Sequence, residues 1–573
     1  MSGAVNLLSR VCDVTGLKVD LRTERLIQYN AVAAVVSMLI GVTAAIFLVL
    51  TRWQAVHLLP ADWYYRWLTA HGLNMLIFFI IFFEMAILYF AGPVVLGSRQ
   101  PAPKLAWGAF GLMVAGAILV NVMVFMGKAD VLFSSYVPLR ADPLYYLGII
   151  LFAVGALIAT LLFFAALVIA KKEKTYEGSM PLVTFGGLTA AIIAVITLLH
   201  GAAIYIPTLL WSMNLMHVDP QMYRLIFWGL GHSSQQINVA AMVAVWYFMA
   251  GITVGGVVLN EKISRLAFVL YILFISMASA HHVLVDPGFG PAWKIWNTSY
   301  AMYLAVLASM IHGFTVPAGF EVGMRLRGYV NGRFEWLRKA PWGDPGFSGT
   351  VFSIVIFGFL GGITGVTLGS EQINIIAHNT LRIPGHFHVT VVGGTALAFM
   401  SLTFYVLPLI FRKRVALWSW AKAVPYLFAI GITTMAMGMT FAGSFGVPRR
   451  HADTAFTGAP FSLEFPPAAD LTMAIGAIGG LTAATAVLMY IAVAVVTVFF
   501  GRKLDFNNLG GDTSGIPQGL LKLPAQTHSA EASAKAHAEG APGTLILVGV
   551  FLVAFILYYF TNWKLLSMIW KIG

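Results

Sequence analysis

Long apolar runs, broken by short polar clusters, set the pattern of this chain. Thirteen runs are nearly free of charge, at 27–51, 67–96, 104–127, 144–170, 181–211, 223–259, 266–286, 296–320, 347–368, 384–411, 417–443, 471–500 and 543–567. About 20 apolar residues in an α-helix cross the hydrocarbon core of a bilayer, and every run is at least that long. The pattern therefore predicts an all-α fold, a polytopic transmembrane bundle of about thirteen helices. A membrane barrel would show alternating segments of about ten residues, and an internal repeat would recur at about 20–50 residues; neither pattern is present. Residues 1–26 carry charges throughout and lack the apolar centre of a cleavable signal peptide. Residues 504–542 are the one long polar connection, rich in Gly, Ser, Ala, Pro and His, and read as a flexible cytoplasmic linker. The expected organisation is a twelve-helix core over 1–503, this linker, and a thirteenth helix with the C-terminus over 543–573.

Composition supports the same class. Apolar residues make up 59% and charged residues 10% of the 573, against about 25% charged in soluble domains. The net charge of +12 raises the question of nucleic acid, which the placement of the basic residues answers. With the N-terminus in the cytoplasm, the N-terminal segment and even-numbered loops hold 24 of the 35 Lys and Arg residues, and the odd-numbered loops and C-terminus hold 11. That is the positive-inside bias of a membrane protein, and no nucleic-acid partner is implied. The single cysteine, Cys12, excludes internal disulfides, cysteine-ligated iron–sulfur clusters and a CxxCH haem attachment.

The depth of the histidines is informative. His71, His232, His281, His282, His312, His386 and His388 fall inside predicted spans, where an ionisable side chain is costly and marks a functional site by default. One buried imidazole is easily a satisfied packing residue; several converging through two dense motifs are not. At about 100° per residue, His386 and His388 in PGHFHV point to opposite faces, so each would serve a different metal. His281 and His282 can turn toward one ion, and His232 would complete a three-histidine site with an open position. Imidazole suits copper, zinc and haem iron, and the lack of thiolate favours haem and copper. His71 is left to pair with one helix 10 histidine across a second haem. His528 and His537 lie in the linker and read as solvated.

The motifs TAHGLNM at His71, WGLGH ending at His232, AHHVLVDPG at His281–His282, HNTLRIPGHFHV from His378 and GSFGVPRR ending at Arg450 resemble subunit I of the haem–copper oxidase superfamily over nearly the whole chain. Their form is most similar to its B-type branch. The resemblance implies two haems and a mononuclear metal, copper or alternatively iron. It makes His71 and His388 the axial ligands of a low-spin haem and His386 the ligand of a high-spin haem. It makes His232, His281 and His282 the ligands of CuB, and sets His378, Arg449 and Arg450 at the haem propionates. It also implies a small second subunit carrying CuA or a c-type haem, with cytochrome c or a small copper protein as electron donor. The setting would be a prokaryotic cytoplasmic membrane, with the haems toward the periplasmic side.

The chain departs from the oxidase pattern at a decisive place. Oxidases of that branch carry a tyrosine four residues after the first copper ligand, and here the residue is Gln236. The C-type branch carries it six residues before the histidine pair, where this chain has Ile275; Tyr271 lies about 15 Å along the helix from His281, too far to substitute. Cleaving O2 calls for a local donor of an electron and a proton, whereas coupling two NO molecules to N2O does not. The absence resembles nitric oxide reductases of the superfamily, which gives that activity as the expectation and a B-type cytochrome c oxidase as the alternative.

The proton route departs too. Tyr247 keeps an expected place, Val243 loses one, and His312 stands three residues before Thr315 where a hydroxyl is expected. The branch often has an acid where Asn374 stands. Glu84, thirteen residues beyond His71, is either a buried proton carrier or a solvated helix-end acid, and Glu321 reads as a helix-end charge or a proton entrance.

Overall fold

The computed structural model describes residues 9–275, 278–509, 511–522, 534, 538 and 540–569. His528, His537 and the middle of the expected linker lie outside the described residues.

Among the described residues twelve helices are long and apolar enough to cross a membrane. In chain order they are α1 (Leu21–Arg52), α2 (Ala61–Val94), α3 (Pro103–Phe125), α4 (Pro143–Lys172), α5 (Leu182–Ser212), α6 (Pro220–Val254), α8 (Pro291–Leu326), α9 (Pro345–Gly369), α10 (Arg382–Leu409), α11 (Trp418–Ser444), α12 (Pro467–Phe500) and α13 (Pro542–Lys564). Between α6 and α8, the expected helix over 266–286 is built from shorter pieces. An α-helix at Glu261–Leu270 (α7) widens into π-helical turns at Tyr271–Ile275 and is followed by a tight 3₁₀ turn at Ala278–His282. The all-α transmembrane bundle is thus as the apolar runs predict, apart from this segment and a small hairpin in which Ser9–Val11 pairs with Lys18–Asp20.

Burial separates the spans by task. The most apolar 18-residue windows of α2, α6 and α10 are 72%, 83% and 83% buried, against 11% for α13. The helices that carry His71, His232, His386 and His388 are therefore enclosed by protein. Leu545, Val550, Ile556, Leu557 and Phe560 on α13 are exposed, as suits a helix facing lipid.

The chain forms two compact units, one of Met1–Ala241, Asp286–Phe289 and Arg450–Glu464, the other of Met242–Val285, Gly290–Arg449 and Phe465–Gly573. Within the second, α11 and α12 approach closely through small residues. A Cβ on Gly431 would lie 2.4 Å from the Ala483 backbone nitrogen, and one on Gly479 2.4 Å from that of Met435. Without a hydrophobic drive between helices in lipid, such backbone approach is what holds a pair together. The start of the expected linker is held in the same unit: Leu504 N donates to Arg412 O at 2.9 Å, Val415 N to Gly515 O at 2.8 Å and Gln518 N to Asp344 Oδ2 at 2.8 Å. The first two bonds tie Leu504 and Gly515 to the basic turn after α10, and the third ties Gln518 to the residue before α9.

Candidate functional site

Six histidines are the groups the sequence singles out as metal ligands. His71 ends the first α-helical stretch of α2, just before π-helical turns at Leu73–Phe79. His388 opens another π-helical stretch, His388–Ala396, in α10. Such turns recur where a helix is reshaped for function.

Each imidazole expected to bind haem is held through Nδ1. His71 Nδ1 lies 3.0 Å from Gly41 O, and His388 Nδ1 lies 2.7 Å from Pro384 O. A carbonyl only accepts, so Nδ1 carries the hydrogen and Nε2 carries the lone pair. His386 Nδ1 lies 2.9 Å from Thr364 Oγ1, whose own hydrogen goes to the backbone of the preceding turn. The hydroxyl therefore accepts from Nδ1, leaving the same tautomer. A metal-binding histidine oriented by a bond from its other nitrogen has this arrangement, so the three residues fit the role of haem ligands. Space is reserved as well: a Cβ on Gly365 would lie 2.9 Å from His386 Cε1. Gly361 receives Thr390 in the same manner, whereas Gly362 meets only its own helix.

His232, His281 and His282 each offer one ring nitrogen, and the three nitrogens lie within 4.8 Å of one another. Three neutral imidazoles suit copper or iron. The 3₁₀ turn brings the rings of His281 and His282 to a centroid separation of 4.2 Å. Asn374, in the place where an acid is expected, donates from Nδ2 to His281 O at 3.2 Å and to Leu368 O at 2.7 Å. A carboxylate could not make those bonds. Four residues past the pair, Asp286 is gripped by the guanidinium of Arg224, with Nη2 at 3.1 Å from Oδ1. Gln236 stands one turn along α6 from His232, with its Nε2 3.4 Å from the ring Nε2.

The adjacent arginines take different partners. Arg449 reaches Asn379 Oδ1 at 3.1 Å, next to His378, and an isolated strand pairing between Thr380 and Pro448 locks the HNT and VPR segments together. Arg450 lies over the rings of Phe133 and Tyr136 at 5.9 and 5.7 Å.

Of the four proton-route residues, three meet. Tyr247 OH lies 3.0 Å from His312 Nδ1, 2.6 Å from Thr315 Oγ1 and 3.0 Å from Ser264 Oγ. Thr315 also bonds Ile311 O, and Ser264 bonds Asn260 O. When both hydroxyls donate to those carbonyls, the single hydrogen on Tyr247 can go to either hydroxyl oxygen, or to His312 Nδ1 when that nitrogen carries no hydrogen, and such alternatives are what a relay requires. Ser264 was not anticipated, nor was Ser309, which lies 3.0 Å from Tyr271 OH; a serine gives no signal against the many others on helices. The fourth, Glu84, is 2% exposed, so it is not a solvated helix-end acid. Glu321 is also buried: its carboxylate takes Arg325 Nε at 2.8 Å, Gly543 N at 3.0 Å, and Thr544 N and Oγ1 at 2.6 and 2.8 Å. It caps the start of α13.

Comparison with known proteins gives the family. The pattern of the family described as Cytochrome C and Quinol oxidase polypeptide I matches residues 25–482. Cytochrome c oxidase subunit 1 of Thermus thermophilus is 30% identical over 440 residues, covering 75% of each chain. Ubiquinol oxidase subunit 1 of Acetobacter aceti is 23% identical, over 68% of this chain and 59% of its own. A haem–copper terminal oxidase dimer solved by cryo-EM superposes with a TM-score of 0.80 at 25% identity, covering 95% of this chain and 92% of that one. The chain is a multi-pass membrane protein and belongs to the haem–copper oxidase subunit I family.

Proposed function

We propose that this chain is the catalytic subunit of a B-type respiratory nitric oxide reductase, performing 2 NO + 2 e⁻ + 2 H⁺ → N2O + H2O. In this reading His71 and His388 hold a low-spin haem and His386 a high-spin haem. His232, His281 and His282 hold a copper ion, with iron as the alternative, and His378, Arg449 and Arg450 serve the propionates. When bound, these groups supply electron transfer and reduction of the gas at an open metal position.

The observation that carries the reading is Gln236, 3.4 Å from the ring nitrogen of His232. A phenol there can give an electron and a proton together; an amide cannot be oxidised in that role. It can hydrogen-bond a small polar substrate beside the histidine, which is all that a two-electron coupling asks of it. The Tyr247–His312–Thr315 cluster would bring protons. Reduction of O2 to water is the second reading, favoured by the resemblance to an oxidase subunit over three quarters of the chain.

A second subunit with CuA or a c-type haem would pass electrons from cytochrome c or a small copper protein, because this chain has no cysteine pair for either group. In this reading the N-terminus lies in the cytoplasm of a prokaryote, an orientation the bias of the basic loops supports, and the haems lie toward the periplasm. The test is anaerobic NO turnover of the purified complex with a reduced artificial donor, following N2O, beside O2 uptake by the same preparation. One N2O per two NO, with slow O2 uptake, is the expected result. Gln236→Tyr should lower NO turnover about ten-fold, the scale of one lost hydrogen bond. Fast O2 uptake with little N2O would overturn the reading and establish the oxidase.

A further inference from the structure

A cavity of about 100 Å³ in the first unit follows α2 from Leu73 to Leu88 and α6 from Phe227 to Ala241. Its walls are largely apolar. Leu73 comes two residues after His71, and Gly231 immediately precedes His232. At the other end lie Glu84 of α2 and Asn238 of α6, with Ser234 between Asn238 and Gly231 on the helix. Gly231 and Asn238 are seven residues apart, about 10 Å along α6.

Packing gives Glu84 no task. Among the described residues it has no cation partner and caps no helix, and Tyr205 is the only other ionisable residue lining the cavity. Its side-chain partner is an amide. With the Asn238 amide oriented to satisfy both its ends, the nitrogen donates to Glu84 Oε1 at 2.7 Å and to Ser234 O at 3.0 Å. Rotated by half a turn, the same amide presents its oxygen to a protonated carboxyl. Asn238 can therefore hold Glu84 with or without its proton, which an arginine or lysine in its place could not do.

We propose that Glu84 is a proton-transfer residue for the gas-reducing centre, working through the cavity along α6 and separately from the Tyr247–His312–Thr315 cluster. In each transfer the Glu84 O–H bond breaks and the proton passes to water in the cavity. Asn238 Nδ2 holds the carboxylate that remains, and a proton arriving through water restores the acid. No electron moves in this step. The inference rests on the proposed function only in requiring a proton-consuming reduction at the centre, which both NO and O2 chemistry provide.

The test uses the purified whole enzyme with Glu84→Gln, Glu84→Asp and Asn238→Leu, and whichever gas the enzyme turns over. Redox-triggered infrared difference spectra should show a carboxyl C=O band that Glu84→Gln abolishes and Asn238→Leu shifts. Proton uptake in a single turnover should slow about ten-fold in Glu84→Gln and recover in part in Glu84→Asp. Carbon monoxide rebinding after photolysis, which reports gas access, should stay as in the parent. Normal proton uptake in Glu84→Gln overturns the proposal, as does rebinding slowed in step with turnover, which would make Glu84 part of the gas path. If Glu84→Gln does not assemble, the band in the parent and Asn238→Leu enzymes decides: a shift supports the proposal, and no band or no shift overturns it. A mistaken choice of gas leaves these readouts unchanged, so the two readings fail separately.

Discussion

Gly365 and Thr364 show how two neighbouring residues prepare one imidazole. Thr364 fixes the His386 tautomer through Nδ1, and the missing Cβ of Gly365 leaves room for the ring edge, which would otherwise sit 2.9 Å away. That distance is well inside carbon–carbon contact of about 3.5–4.0 Å, so Gly365→Ala should push His386 by several tenths of an ångström. Under the proposed assignment, the expected outcome is a shifted and weakened high-spin haem spectrum in the purified protein, with the low-spin haem unchanged because Gly41 and Pro384, not Thr364, hold His71 and His388. An unchanged spectrum would mean that His386 does not bind that haem. The histidines themselves were legible in the sequence because charge inside an apolar run is rare and conspicuous. Their supports were not: Gly41 and Pro384 contribute backbone carbonyls, which have no sequence signature, and Asn374 acts through an amide bond to the His281 carbonyl. Asn238 stood in plain view six residues after His232, but nothing along the chain showed that it would meet Glu84.

At the scale of elements, apolar periodicity predicted where helices run, while the way they end and join depended on tertiary partners. The segment around His281 and His282 shows the limit. Its composition reads as one more span, whereas the backbone widens at Tyr271–Ile275 and tightens at Ala278–His282. In that turn the two rings lie with their centroids 4.2 Å apart and their planes inclined at 35°. The other case is α13. As a lone apolar helix that is 11% buried in its most apolar window, it has little packing to hold its start. Glu321 supplies a fixing point by accepting from Gly543 and Thr544 while pairing with Arg325. The side chain of Glu321 is fully enclosed and that of Arg325 is 10% exposed, so removing the charge leaves a nearly buried cation uncompensated, a loss of about 3–5 kcal/mol in comparable pairs. Glu321→Gln should therefore lower the melting temperature of the detergent-solubilised protein by several degrees and speed amide exchange at the start of α13. If Glu321 were instead a proton entrance, turnover would fall while melting and exchange stayed as in the parent.

For the whole molecule, the open physical question is which ends of the helices face the cytoplasm, because that decides the side from which electrons and protons arrive. The basic residues argue for one answer: 24 of 35 fall in the N-terminal segment and even-numbered loops, among them Lys171, Lys172 and Lys174 after α4. His71 lies toward the odd-loop end of α2, and the HNT and PRR segments lie in odd-numbered loops, so the same alternation assigns the haem-side groups of the proposed function to the other face. The single cysteine makes the test clean. Cys12 is 7% exposed, and Cys12→Ser removes it as a background. Lys172→Cys and His217→Cys then place one exposed thiol at the last residue of α4 and one in the loop after α5. A membrane-impermeant thiol reagent should label His217→Cys in right-side-out vesicles and Lys172→Cys only in inverted ones. Under the proposed function, reduction by an external cytochrome should follow the first pattern, with electrons entering on the His217 side. The reverse labelling would place the basic loops outside and the haem-side motifs within the cell, and would require an electron donor in the cytoplasm.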